Sequence, residues 1–157
     1  MFKFHMTRLL KASNEIILVF LQLLIIILHF IKFEFLTNLE IIQVSSVFRY
    51  LGNLIIMISS FVMLISIKEL GNNLSPLPKP IKNGNLITSG IYALMRHPMY
   101  YSLISISFGV FITKLSFYYL SLTICLVLVI KYKIILEEKH LNTKFKNYLL
   151  YKQKVKY

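Results

Sequence analysis

Long apolar stretches, separated by short polar and basic segments, dominate the pattern of hydrophobic and polar positions. Residues 16–31 are apolar except for two side chains, and residues 51–67 are mostly apolar. A helix rises 1.5 Å per residue and must cover about 30 Å of hydrocarbon, so both stretches reach membrane-spanning length once their flanks are included. The pattern predicts two N-terminal transmembrane helices, over 16–33 and 41–69.

A third apolar block runs from Met99 to Ile130 and is interrupted by Lys114. One helix over the whole block would overrun the hydrocarbon core of a bilayer. Two helices in a tight hairpin, turning near Lys114, fit the length better. The chain is therefore predicted to be an all-α, polytopic membrane protein with about four transmembrane helices, and its length favours one domain over residues 1–157.

The segment between the second and third predicted helices, LGNNLSPLPKPIKNGNLITSG, is the one long loop. Pro76, Pro78 and Pro80 exclude a regular helix, and the pair Asn83 and Gly84 predicts a tight turn. Long ordered loops tend to be functional. A flexible linker is the alternative, but five apolar side chains of the segment give it surface to pack: Leu74, Leu77, Ile81, Leu86 and Ile87.

Beyond Ile130 the pattern changes to apolar residues at helical spacing with lysines between them. The apolar positions are Leu141, Phe145, Tyr148, Leu149 and Tyr151. A basic helix of this kind suits the membrane interface. We predict a C-terminal amphipathic interfacial helix.

The charge of the chain is strongly basic, with 18 Lys and Arg against 6 acidic residues and a net charge of +12. Nucleic-acid binding is not expected, because the charges lie between apolar blocks and 57% of the residues are hydrophobic. Basic residues concentrate near the N-terminus, in the proline-rich loop and after Ile130. With an even number of spans these three segments share one side, so the N- and C-termini and the loop are predicted to be cytoplasmic.

One candidate site is the sequence Arg96-His97-Pro98, just ahead of the third apolar block. Pro98 suits the first residue of a helix, where a missing N–H costs nothing. The residues before it then lie at a helix N-terminus, which favours anions, and Arg96 and His97 add donors there. Alternatively, Arg96 is only a topology-setting charge and His97 an interfacial side chain.

A second candidate is the acidic pair Glu137 and Glu138, which follows the fourth predicted helix among lysines. Adjacent carboxylates repel, so the pair needs cationic or hydrogen-bonding partners, and it suits ribose hydroxyls or a cationic ligand. Alternatively the pair is a solvated helix end neutralised by lysines.

Lys133 lies four residues before Glu137, so on one helix both share a face. Either it reaches the interface and pairs with Glu137, or its ammonium contacts an anionic group of a substrate.

Cysteine and histidine usage indicates neither a disulfide nor a metal site. The single cysteine, Cys125, lies inside an apolar run, where it behaves as a small hydrophobic residue. No Cys and His cluster has the spacing of zinc ligands. No metal is therefore expected.

The loop and the two candidate sites together resemble the isoprenylcysteine carboxyl methyltransferase and phospholipid methyltransferase superfamily. Its pattern is G-x-Y-x-x-x-R-H-P-x-Y, followed one helical hairpin later by E-E-x-x-L-x-x-x-F-x-x-Y-x-x-Y. The stretches LITSGIYALMRHPMYYS and EEKHLNTKFKNYLLYKQKV match both blocks. The resemblance covers roughly residues 70–155. One departure is Ser102, where the family often has glycine.

The resemblance implies an integral membrane enzyme that uses S-adenosyl-L-methionine and builds its cofactor pocket from residues 70–157, at the cytosolic interface. The residues carried over as cofactor-binding are Tyr92, His97, Pro98, Tyr100, Glu137 and Glu138. Arg96 and His97 are candidate catalytic residues, and Lys133 is a candidate contact for a substrate anion. The apolar residues expected beside the adenine are Leu86, Ile135 and Leu136. The methyl acceptor is expected to be lipophilic or lipid-linked and to enter from the membrane lipids.

Two other functions compete with this interpretation. A sterol-reductase-like membrane oxidoreductase shares a related R-H-x-x-Y element but uses NADPH, and its usual C-terminal Asp and Trp landmarks have no counterpart in a chain without Asp or Trp. The other alternative is a non-catalytic membrane scaffold. The sequence does not distinguish O-, N- and S-methylation.

Overall fold

The structure, a computed structural model, describes residues 2–31 and 44–156, with side chains from residue 14 onward, and its regular secondary structure there is helical. Within these ranges five α-helices follow one another as α1 (Phe2–Phe30), α2 (Ser46–Leu70), α3 (Pro98–Lys114), α4 (Phe117–Lys144) and α5 (Tyr148–Lys154). Two 3-10 turns, Gly71–Asn73 and Gly90–Ala93, flank the proline-rich loop. No β-strand occurs within these ranges. The predicted all-α class is confirmed.

Two helical segments are long and apolar enough to cross a membrane, Ser46–Asn73 and Phe117–Lys144. The apolar part of α1, Asn14–Phe30, is shorter, and α3 has only 17 residues. The outward faces carry large exposed apolar side chains, such as Phe20, Phe61 and Leu128, each more than 60% exposed. An apolar exterior of this extent is a membrane-interaction surface, so the structure supports a membrane protein without confirming the count of four spans.

The core forms around α4, which packs against α1 and α3. Leu126 and Ile130 are almost wholly buried there, and Ile25 of α1 and Tyr119 complete the centre of the cluster. Buried apolar contacts of this kind fix the relative positions of the three helices. The start of α3 and the end of α4 consequently lie at the same end of the bundle, where the candidate site is found.

The helices α2 and α3 approach each other closely where they cross, at Gly52 and Gly109. A Cβ atom on Gly109 would lie 2.9 Å from the Gly52 carbonyl oxygen and 2.7 Å from Cγ1 of Ile56. Small residues allow this approach, which is how membrane helices gain packing energy where lipid removes the hydrophobic driving force.

The hairpin predicted near Lys114 is confirmed, and its turn is very short. α3 ends at Lys114, Leu115 takes the left-handed conformation (φ 43°, ψ 44°), and α4 begins at Phe117. Ser116 caps α4 by accepting a hydrogen bond from the Tyr118 backbone N–H at 3.3 Å. A left-handed residue closes a helix by satisfying its last carbonyls.

Gln22 and His29, the two polar side chains within residues 16–30 of α1, both point into the bundle. Gln22 accepts a hydrogen bond from Lys133, and His29 is within 2.8 Å of the Ser107 hydroxyl, which in turn meets Thr123 at 2.8 Å. Buried polar groups need such partners. These contacts connect α1 with α3 and α4.

Two element boundaries differ from those predicted. The second helix begins at Ser46, after two non-helical residues, whereas a start near Ile41 was expected; Ile41 itself lies outside the described residues. The predicted C-terminal helix is interrupted, because α4 runs on to Lys144 and the chain is extended at Phe145 before α5. The break turns Tyr148 and Tyr151 inward, where their rings are buried rather than left at the interface.

Candidate functional site

The proline-rich loop is ordered by side chains that bind its backbone. Asn73 Oδ1 accepts a hydrogen bond from the Asn85 N–H at 2.7 Å, and Gly84 N–H donates to the Ile81 carbonyl at 2.9 Å. The Lys144 ammonium of α4 donates to the carbonyls of Gly84, at 3.2 Å, and of Ile81. The turn predicted at Asn83 and Gly84 is confirmed. The loop therefore packs as a wall beside α4.

Gly90, the first residue of the family-like block, depends on having no side chain. Its φ is +58°, and a Cβ atom there would lie 2.1 Å from a carboxylate oxygen of Glu69. The other carboxylate oxygen of Glu69 accepts a hydrogen bond from the Ile91 N–H at 2.7 Å. The end of α2 thus holds the start of the Gly90–Ala93 turn in place.

His97 and Pro98 start α3 as the sequence predicts. Pro98 occupies the first turn and is fully buried, and His97 is the N-cap residue. The His97 ring is stacked on the Tyr100 ring, with centroids 5.8 Å apart and planes at 25°. This packing fixes the imidazole over the first turn of the helix.

Glu138 is the point at which the two sequence blocks meet. Its Oε1 lies 3.0 Å from the Arg96 guanidinium and 3.4 Å from His97 Nε2, and its Oε2 accepts from the Lys152 ammonium at 2.6 Å. Charge-assisted contacts of this kind are the stronger class of hydrogen bond. Glu138 therefore joins α3, α4 and α5 through its carboxylate.

Arg96 also binds the end of α5. Its Nη1 donates to the carbonyl oxygens of Val155, at 2.7 Å, and of Lys152, at 3.2 Å. These are the carbonyls that a helix C-terminus leaves unpaired. The buried Nε of Arg96 has no hydrogen-bond partner within the described chain.

A cleft opens between the proline-rich loop, the Gly90–Ala93 turn, the end of α4 and α5. Its empty volume, including the open solvent at its mouth, is about 650 Å³. Of the sequence-predicted residues, Tyr92, Arg96 and Glu137 line it, and so does the predicted adenine neighbour Leu86.

The other residues predicted to bind the cofactor do not line this cleft. They are His97, Pro98, Tyr100 and Glu138 among the cofactor candidates, and Ile135 and Leu136 among the adenine neighbours. His97 and Pro98 are buried behind the wall, and Ile135 is 54% exposed. The structure therefore brings Arg96, His97 and Glu138 together in one cluster and places Glu137 in the cleft beside it.

Three buried tyrosines surround the cleft and keep their hydroxyl protons at neutral pH. Burial raises the pKa of Tyr92 and Tyr148 above the ordinary tyrosine value, with the carboxylates of Glu137 and Glu138 adding to the effect at Tyr92 and Tyr148 respectively. Burial raises the pKa of Tyr151 to about 12 against the opposing charge of Arg96. Neutral phenols act as hydrogen-bond donors; the Tyr151 hydroxyl donates to the Tyr92 carbonyl at 2.6 Å.

Lys133 is buried among neutral groups. Its ammonium donates to Gln22 Oε1 at 2.6 Å and to the Pro76 carbonyl at 3.2 Å, and it lies 5.3 Å from the centre of the Tyr100 ring. No carboxylate in the described part of the chain comes within ion-pairing distance of it, so the pairing with Glu137 that the spacing suggested is not formed. The Lys133 side chain is only 2% exposed.

Sequence reasoning did not single out Glu69, Lys152 and Gln22. Glu69 offered a signal, because a carboxylate at a helix C-terminus is unfavourable next to the dipole and needs a donor. Gln22 offered another, as a polar side chain in an apolar stretch. Lys152 is one of eight lysines after Ile130, and nothing in its spacing distinguished it.

The cleft combines charged side chains with apolar walls. Its lining includes one carboxylate, Glu137, and the cations Lys79 and Arg96. Its apolar walls are formed by side chains such as Leu77, Leu86 and Phe145. No group of three or more His, Cys, Asp or Glu side chains in the described ranges could hold a metal ion.

Comparison with known proteins identifies the family. The model of the phospholipid methyltransferase family matches residues 47–148, which include α2, the proline-rich loop, the R-H-P block, the hairpin and the acidic pair. Neither a curated protein nor a solved structure matches the chain significantly. The match extends over more than half of the sequence and supports methyl transfer to a lipid-type substrate over the sterol-reductase-like alternative. The chain belongs to the phospholipid methyltransferase family.

Proposed function

We propose that this protein transfers a methyl group from S-adenosyl-L-methionine to a lipophilic or lipid-linked acceptor at the cytoplasmic membrane interface. The observation that carries the proposal is the cleft, in which the Glu137 carboxylate faces apolar walls beside the Arg96–His97–Glu138 cluster. Family membership supplies the reaction type.

The lining of the cleft fits this cofactor. A cation bearing an adenosyl group needs a carboxylate near its positive charges and apolar surface against its base, and Glu137 and Leu86 are placed for these two roles. Tyr92, on the same wall, offers a neutral hydroxyl. Four residues outside the cleft lining support the site by holding the start of α3 against α4. They are His97, Pro98, Tyr100 and Glu138.

When bound, the cofactor supplies a methyl group activated on a sulfonium. The chain's own contribution is orientation, since holding reactants in line can supply about 7–11 kcal/mol of a barrier. The tyrosines hold their protons, and the His97 imidazole is occupied by Glu138 and Tyr100. Catalysis by positioning is therefore the role we assign to this site, with Arg96 keeping Glu138 and α5 in place.

Lys133 is placed to contact the acceptor. It lies one helical turn deeper than Glu137, and its hydrogen bonds go to neutral groups. The charge of Glu137 acts on it only from beyond ion-pairing distance, and a buried cation with no counter-ion in contact is costly. An anionic group on the acceptor next to its nucleophile would provide that counter-ion.

Calorimetry with S-adenosylhomocysteine tests the proposal directly. We expect the wild-type protein to bind this product and Glu137→Gln to bind it at least tenfold more weakly, about 1.4 kcal/mol. Glu15→Gln is the matched control, because Glu15 pairs with His140 and neither residue lines the cleft.

Two results of that experiment contradict the proposal. One is the absence of S-adenosylhomocysteine binding to wild type together with binding of NADP, which would favour the oxidoreductase. The other is an equal affinity in wild type and Glu137→Gln.

We also expect His97→Ala and Glu138→Gln to bind S-adenosylhomocysteine at least tenfold more weakly than wild type, because each releases the start of α3.

A further inference from the structure

α5 presents two faces with different chemistry. With about 100° between successive helical residues, Tyr148 and Tyr151 lie on one side, and Leu149 and Leu150 lie opposite. The tyrosines are buried and line the cleft, whereas Leu149 and Leu150 are 54% and 67% exposed. One short helix thus forms part of the cleft and offers an unpartnered apolar face to the outside.

Basic side chains surround the exposed face. Lys146 and Lys154 are exposed beside Leu150, around a surface depression that also includes Ala93. Residues 139–157 contain six lysines and no acidic residue. Leucines that are framed by lysines, without carboxylates, match the acyl boundary and the headgroups of an anionic lipid surface.

α5 is too short to be stable alone. It has seven residues, and isolated helices of that length are marginal in water. It is held by Arg96 through the Val155 and Lys152 carbonyls, by the ion pair of Lys152 with Glu138, and by the hydrogen bond from Tyr151 to Tyr92.

We propose that the outer face of α5 docks on anionic lipid headgroups, and that this docking stabilises the cofactor cleft. The inference rests on the proposed function, because it assigns a lipid partner to the same site. Since the docked helix carries Tyr148 and Tyr151, a lipid that favours the docked position raises cofactor affinity. By linkage, the cofactor raises the affinity of α5 for that lipid by the same factor.

The test compares the full-length protein in nanodiscs of phosphatidylcholine with nanodiscs of equal phosphatidylcholine and phosphatidylglycerol. We expect S-adenosylhomocysteine to bind about fivefold more tightly in the anionic membrane, at the lower end of typical coupling. Lys146→Gln with Lys154→Gln should abolish this difference. Lys68→Gln with Lys82→Gln removes the same charge from exposed positions outside the cleft lining and should retain it.

A second measurement does not depend on the cofactor. In a Cys125→Ser background, Leu150→Cys should react more slowly with a water-soluble maleimide in anionic nanodiscs than in zwitterionic ones. Equal labelling rates in both would overturn the docking, and protection of Leu150→Cys with unchanged cofactor affinity would overturn the coupling. Loss of S-adenosylhomocysteine binding in both membranes would count instead against the proposed function.

Discussion

At the scale of single residues, two charged side chains with similar sequence settings have different surroundings. Glu138 contacts Arg96, His97 and Lys152, so both of its carboxylate oxygens have partners inside the protein. Lys133, five positions earlier on the same helix, is buried with neutral partners. Glu138 therefore holds helices together, whereas Lys133 has no counter-ion within hydrogen-bonding distance among the residues that the structure describes.

Replacing Lys133 separates a substrate contact from a supporting role. Lys133→Met should lower the methylation rate at saturating cofactor, while affinity for S-adenosylhomocysteine stays near that of wild type. Lys133→Arg should restore part of the rate because it keeps the charge. Lys131→Met, an exposed lysine two residues away, serves as the control. Reduced cofactor affinity with normal turnover at saturation would remove the substrate role.

Gly90 gives a prediction about stability. Gly90→Ala should cost about 1–3 kcal/mol of unfolding free energy, because it combines a positive φ with a clash against Glu69. In a Glu69→Ala background the clash is absent, so the cost should fall by at least about 0.5 kcal/mol. Thermal unfolding of the four proteins in detergent gives this coupling, and strict additivity would show that the clash is relieved in another way.

At the scale of helices, the sequence was informative where apolar runs and helix breakers coincide. The hairpin after Lys114 could be predicted because a cation interrupts an overlong apolar block, and the ordered loop because prolines preclude a helix. The break at Phe145 could not, because the apolar spacing from Leu141 to Tyr151 continues through it. It becomes favourable only once Leu86 and the cleft are present to bury the tyrosines, which is a tertiary effect.

The candidate site, too, could be predicted from the sequence only in part. Both blocks could be identified by their spacing, whereas the choice between Glu137 and Glu138 for the cleft could not. Adjacent helical residues point about 100° apart, and which of them faces the cleft depends on the rotation of α4 against α3. That rotation is set by core side chains such as Leu126 and Ile130, far from the motif.

The crossing of α2 and α3 yields a prediction at this scale. Gly109→Val should destabilise the protein by about 1–3 kcal/mol, since even a Cβ atom overlaps Ile56 and the Gly52 carbonyl. Phe108→Val introduces the same side chain on the exposed face next to it and should change stability by less than about 0.5 kcal/mol. Equal effects in thermal unfolding would show that close packing does not limit the crossing.

At the scale of the whole molecule, two of the basic segments lie at the same end of the helices. The proline-rich loop and α5 meet at the cleft, while the turn at Leu115 lies at the other end of α3 and α4. Four spans with both termini in the cytoplasm remain our proposal. Asn38, in the first predicted connection, lies outside the described residues.

Cysteine labelling from each side of the membrane tests this orientation. In a Cys125→Ser background, Lys82→Cys and Lys154→Cys should react with an impermeant reagent from the cytoplasmic side, and Lys114→Cys from the opposite side. All three positions are exposed. Labelling of Lys82→Cys and Lys154→Cys from opposite sides would require an odd number of spans between them.

The bond between Arg96 and the Val155 carbonyl has a consequence for biosynthesis. The two residues are 59 positions apart, and at translation rates of about 5–20 residues per second the second follows the first by roughly 3–12 seconds. When Arg96 and His97 have been made, the Glu138 carboxylate is still 41 positions away from His97, and the Lys152 and Val155 carbonyls follow later still. The nascent chain therefore completes its cleft last, after α1 to α4 have been synthesised.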